Sequence, residues 1–163
     1  MSQKIKVMVV DDSALVRKVI TDILESDKDI EVIGTANNGK SAVFKNLTLN
    51  PDVITMDIEM PIMDGLEALQ EIIKTNPKPV IMMSVLTQYG AEATFRALEF
   101  GAIDFIPKPS NFLAMSMDDI AELLISKVKA VAHIPLKISY NKDRTNRQLT
   151  KLTVDSNQKR VQK

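Results

Sequence analysis

The 163 residues contain no cysteine and a single histidine, His133. The first absence removes disulfides, thiolate metal sites and cysteine nucleophiles. The second leaves one imidazole at the end of a helical pattern, to which no chemical role is assigned. There is also no G-x-S-x-G turn, so a Ser-His-Asp hydrolase site is not encoded in these residues. Long apolar runs are missing too. In the N-terminal MSQKIKVMVVDDS the run Val7 to Val10 is cut off by two aspartates, too short for a signal-peptide core or a membrane span. A cytoplasmic location without membrane insertion is therefore expected.

Neither sign of charge is in excess, since 21 basic and 21 acidic side chains give a formal net charge of zero, but their distribution is uneven. Residues 133–163 carry eight Lys or Arg against Asp143 and Asp155, net +6, which leaves 13 basic and 19 acidic groups, net −6, in residues 1–132. An acidic body has no general affinity for nucleic acid. The basic charges of the tail are scattered among polar residues with no aromatic beyond Tyr140, which favours a solvated linker over a nucleic-acid-binding surface.

What is present is an ordinary globular composition, 45% hydrophobic and 26% charged, enough for one domain with a sizeable core. Short apolar runs alternate with helical patterns. IKVMVV (5–10), IEVIGTA (30–36), PDVITMD (51–57), PVIMMS (79–84) and AIDFIP (102–107) read as strands. Between and after them, 13–25, 40–49, 65–74, 87–100 and a last stretch opening at Ser116 read as helices. Ser116 with Asp119 three residues on is a capping pattern. Strands that are apolar throughout require cover on both faces, which predicts a doubly wound α/β domain, a five-stranded parallel sheet flanked by five helices, over residues 1–131. Beyond it the periodicity fades, and 132–163 read as a basic, polar linker or tail.

Open parallel sheets bind ligands beyond the carboxyl ends of their strands. There the sequence places Asp11, Asp12, Asp57, Ser84 and Lys108. Three carboxylates converging at adjacent strand ends repel one another unless a cation joins them. Magnesium suits that set, with manganese as a substitute, because it takes oxygen ligands and bridges carboxylates to a phosphoryl oxygen. A carboxylate beside the ion can act as nucleophile. Lys108 offers a point charge, and Ser84 a hydroxyl, to the oxygens of a transferring phosphoryl group. An isolated Asp-Asp pair or Lys-Pro is ordinarily turn chemistry or solvated surface; the weight lies in the joint placement.

Two other chemistries have partial matches in the sequence. Residues 34–41, GTANNGKS, match the P-loop pattern of nucleotide-binding proteins and lie between an apolar strand and a helix. Gly34, however, sits inside the strand run, leaving only Asn37 and Asn38 before Gly39, too short a loop to wrap phosphates. A magnesium-dependent phosphatase with an aspartyl phosphoenzyme would typically show D-x-D at the first strand, which VDDSA lacks. The methionines Met56, Met60, Met63, Met82, Met83, Met115 and Met117 are read as core filling rather than a soft-metal site.

VDDS (10–13), MDIEMPIMDG (56–65), MMS (82–84) and IPKP (106–109) resemble the motifs of the bacterial response-regulator receiver family, over residues 4 to 130. That resemblance implies the flavodoxin-like receiver fold and phosphorylation of Asp57 by a histidine kinase. It also implies a metal held by Asp11, Asp12, Asp57 and the backbone carbonyl of Glu59. Ser84 and Lys108 would contact the phosphoryl group, Phe105 would be the aromatic switch, and the Lys108–Pro109 peptide would be cis. SVLTQYGAEATFRALEFGAIDFIPKPS (84–110) is similar more specifically to the regulatory domain of chemotaxis protein-glutamate methylesterases. This implies a tail leading to a methylesterase catalytic domain outside these residues and regulated in cis. A stand-alone receiver, acting as phosphate sink or docking module, is the alternative.

Overall fold

In the computed structural model, residues 3–84, 88–108 and 116–132 are described, with the side chains of 88 and 89 outside the description. The apolar runs are strands β1 (Ile5–Val10), β2 (Ile30–Ala36), β3 (Val53–Asp57), β4 (Val80–Ser84) and β5 (Asp104–Pro107). The helices are α1 (Ala14–Glu25), α2 (Gly39–Leu49), α3 (Gly65–Thr75), α4 (Gln88–Glu99) and α5 (Met117–Ala132). The sheet order is β2-β1-β3-β4-β5 with every neighbouring pair parallel. The chain therefore reverses direction across the sheet between β1 and β3, and a crevice opens beyond their carboxyl ends.

The strands are apolar throughout because each face meets its own helices. Val7, Val9, Val53, Ile81, Met83 and Ile106 pack with Ile20 and Leu24 of α1 and Leu124, Val128 and Val131 of α5. Met8, Val10, Ile54, Met56, Val80 and Met82 face Ala42 of α2, Leu66, Leu69 and Ile72 of α3, and Ala93 and Ala97 of α4. The two sets alternate along each strand, as the two-residue period of a strand requires. Every residue of β3 and β4 is buried, whereas the edge strand β2 is half-exposed over most of its length. Met8, Met56, Met82 and Met83 are fully buried, and Met60 and Met63 pack against the core, as core filling predicts. Met117 is exposed instead, at the first turn of α5.

Local chemistry sets the helix starts. The Ser13 hydroxyl accepts from the Val16 amide at 3.3 Å, and the Ser116 hydroxyl from the Asp119 amide at 3.1 Å. Asp64 and Glu67 form a reciprocal capping box at α3. Three strands start later than the runs 51–57, 79–84 and 102–107, at Val53, Val80 and Asp104. Ala102 belongs to the turn that closes α4, where Gly101 at φ 116° lets the Ala102 amide reach the Ala97 carbonyl at 2.9 Å, so β5 starts only at Asp104. The P-loop-like stretch is a strand end, Asn37, and Asn38 capping α2 through the Ser41 amide. No helix among the described residues is long and apolar enough to cross a membrane. His133, the basic tail 133–163, Met115 and the Lys108–Pro109 peptide lie outside the described residues.

Candidate functional site

Pairing of β1 with β3 brings Asp57, the last residue of β3, beside Asp11 and Asp12, which follow β1. One carboxylate oxygen of each of the three lies within 4.8 Å of the others. Asp11 and Asp57 are buried and Asp12 is exposed, so the cluster has one solvent-facing side. Lys108, just past β5, spans the sheet end with its ammonium 3.0 Å from Asp57 Oδ2 and 3.2 Å from Asp11 Oδ2. A cleft of about 160 Å³ is lined by Asp12, Asp57, Glu59, Ser84, Gly90 and Lys108, among others. Asp11 is fixed by its backbone: its amide donates to the Ala36 carbonyl at 3.0 Å, and its carbonyl accepts from Arg17 Nη1 at 2.8 Å.

The loop after Asp57 contributes Ile58 and Glu59 to the lining of this cleft. The Gly65 amide donates to the Ile58 carbonyl at 2.7 Å, and a Cβ on Gly65 would lie 2.1 Å from the Asp57 carbonyl oxygen, so only glycine admits this approach. Between them, the Met63 amide donates to the Pro61 carbonyl at 2.7 Å across Ile62, whose φ is 71°. This is a γ-turn of the rare positive-φ hand, and a β-branched residue there is strained. The Met63 carbonyl in turn accepts from the Gly39 amide at 2.8 Å, anchoring the loop to α2.

Burial dominates the electrostatics. It pushes the Asp57 carboxyl up to about 7, with the neighbouring Asp11 charge adding to the rise and the Lys108 ammonium opposing it. Burial likewise raises Asp11, against the Ser13 amide at 2.9 Å and Lys108. Burial alone would pull Lys108 down, but the hydrogen bond and charge of Asp57, joined by Asp11, hold its ammonium above the ordinary lysine value. The site thus gathers a surplus of acidic groups, three carboxyls around one ammonium.

That surplus is the test of whether a metal fits. Asp11 Oδ2 is fully buried, and among the described residues its partner is the Lys108 ammonium at 3.2 Å, which it shares with Asp57. Three carboxylates with oxygens within 4.8 Å of one another, two of them sharing one ammonium, are a donor set of hard oxygens that suits a divalent cation preferring oxygen ligands.

The remaining predicted residues divide. Ser84 lines the cleft, but its hydroxyl is hydrogen-bonded at 3.1 Å to Thr94 Oγ1 of α4. The exposed Glu59 lines the cleft as well. Phe105 stands on the edge strand β5, 44% exposed, and does not line the cleft. Sequence reasoning missed Arg17 and Thr94. Both act from helices on groups six and ten residues away, and no local pattern marks either contact.

The description "Response regulator receiver domain" belongs to the family whose model matches residues 7–117. The chain is 50% identical over 137 residues to a protein-glutamate methylesterase/protein-glutamine glutaminase of Halalkalibacterium halodurans, covering 84% of this chain and 40% of that protein. It is 53% identical over 135 residues to the protein of the same name from Pyrococcus horikoshii, covering 83% and 37%. It thus spans about two fifths of the length of these curated relatives. Among solved structures, the response regulator domain of Thermotoga maritima CheB superimposes with a TM-score of 0.74 at 46% identity, over 82% of this chain and 99% of that one. A chain of the CheX-CheY-BeF3-Mg+2 complex of Borrelia burgdorferi does so with a TM-score of 0.64 at 32% identity, over 77% and 90%. Motif, sheet order, acidic cluster and these likenesses agree, and the chain belongs to the response-regulator receiver family.

Proposed function

We propose that Asp57 accepts a phosphoryl group from a histidine kinase. The Asp57 carboxylate oxygen attacks phosphorus, the phosphorus–nitrogen bond of the phosphohistidine breaks, and its electron pair returns to the imidazole, which takes up a proton. Magnesium, or manganese in its place, would be held by Asp11, Asp12, Asp57 and the Glu59 carbonyl; when bound it supplies the positive charge that keeps Asp57 ionised and offsets the phosphoryl oxygens. Lys108 orients the same oxygens through its ammonium. The observation that carries this reading is the convergence of Asp11, Asp12 and Asp57 on one point with Lys108 between two of them.

In the receiver reading, Ser84 turns to the phosphoryl group, Phe105 follows inward, and the surface of α4, β5 and α5 changes its partner preference. Residues 1–131 are the receiver and 132–163 a basic, polar linker or tail. The names and lengths of the relatives support a longer protein in which this receiver controls a methylesterase domain in cis. Incubation with acetyl phosphate and magnesium, followed by mass spectrometry, tests the chemistry. One phosphoryl group on Asp57, absent from Asp57→Ala, is the expected result; no adduct, or one that survives Asp57→Ala, refutes it.

A further inference from the structure

We propose that Thr94 is a positioning residue that holds Ser84 away from the phosphoryl site, so that phosphorylation must break a hydroxyl relay running into α4. The inference rests on Asp57 being the phosphoacceptor. Ser84 and Thr94 are both buried, at 8% and 6% exposure, and their hydroxyl oxygens are 3.1 Å apart. Thr94 Oγ1 is also 2.8 Å from the Gly90 carbonyl, one helical turn back. A hydroxyl has a single proton, and a carbonyl has none to give. Both contacts are hydrogen bonds at once only if Thr94 donates to Gly90 and Ser84 donates to Thr94.

In that arrangement the Ser84 proton is already engaged. Ser84 lines the cleft beside Asp57, but it cannot donate to a phosphoryl oxygen until it leaves Thr94. Gly90, at the far end of the relay, lines the same cleft from the first turn of α4. One helix thus supplies both the acceptor that restrains Ser84 and part of the wall the phosphoryl group would meet. Hydroxyl chains of this kind polarise one another, so breaking the first link weakens the second. Departure of Ser84 is in this way transmitted to the N-terminal turns of α4. A serine with no such partner would be free to rotate toward the cleft.

Thr94→Val keeps the shape and removes the relay, and Thr94→Ser keeps the hydroxyl. The probe is beryllofluoride with magnesium, and the readout is the concentration at half-occupancy of Asp57, followed by fluorine NMR. Thr94→Val should need about five-fold less beryllofluoride than the unsubstituted chain, the equivalent of one ordinary hydrogen bond no longer broken. Thr94→Ser should return to within about two-fold of the unsubstituted value. In a Ser84→Ala background, Thr94→Val should change nothing. Unchanged or weaker occupancy in Thr94→Val, or the same gain without Ser84, overturns the proposal.

The unsubstituted chain gives a second reading if the valine variant does not fold. The Thr94 methyl resonance should move when beryllofluoride binds and stay still in Ser84→Ala. A stationary resonance in the unsubstituted chain, with Asp57 occupied, refutes the relay alone. A chain that takes no beryllofluoride on Asp57 refutes the phosphoacceptor reading, and the relay with it.

Discussion

Replacing Asp57 with asparagine should stabilise the metal-free protein, although it removes the residue on which the proposed chemistry depends. The carboxyl is raised from 3.8 to about 7, with burial the largest cause and Asp11 the next. A carboxyl whose folded value is raised contributes stability that is fully present below its unfolded value, near 4, and lost as pH rises to about 7. At 1.36 kcal/mol per pH unit, the full loss has a ceiling of about 4 kcal/mol. Asp11, Asp57 and Lys108 titrate as one set, and the variant takes an anion from Lys108 at 3.0 Å, so about half, ~2 kcal/mol, is the expected gain. For a domain of this size that raises Tm by about 6 °C. The assay is urea unfolding in chelator at pH 5 and pH 8. The gain of Asp57→Asn should be clear at pH 8 and much smaller at pH 5. Saturating magnesium should reduce or reverse it, because the ion stabilises more strongly the chain that keeps all three carboxylates. A variant less stable than the parent at pH 8 in chelator would show that the ionised carboxylate is adequately compensated, and the reasoning would be wrong.

Three further outcomes follow from the same geometry. Lys108→Met leaves Asp11 and Asp57 facing each other without their cation and should lower stability in chelator at pH 8 by about 3 kcal/mol; thermal melts with and without magnesium should show the ion restoring much of it. Gly65→Ala would drive a methyl group into the Asp57 carbonyl and should destabilise by about 2 kcal/mol or more in urea unfolding while weakening magnesium binding measured by titration. Asp64→Ala removes the capping box of α3 and should lower stability by about 1 kcal/mol at neutral pH, with magnesium affinity within about two-fold of the parent.

Much of this protein was legible along the chain. The five strands were visible because each is a short apolar run between helical patterns, and their lack of alternation told that helices cover both faces, as the two packed clusters show. Asp11, Asp12, Asp57, Ser84 and Lys108 were marked by lying at strand ends, where a parallel sheet presents its ligands. Less visible was where an apolar run ceases to be strand: Ala102 is drawn into the cap of α4 because the helix end must satisfy its carbonyls before the chain can pair with β4.

The sequence by itself determined which groups are available, and the period of each element, because periodicity and capping act between residues a few positions apart. Only the tertiary structure decided what those groups are to one another. Lys108 meets Asp57 across 51 positions of chain, Asp57 is raised to about 7 by burial that other elements create, and the Ser84 hydroxyl is engaged by Thr94. Burial, charge and the direction of a hydroxyl proton depend on what surrounds an atom in space, and that is fixed only when the strands lie side by side and the helices close over them.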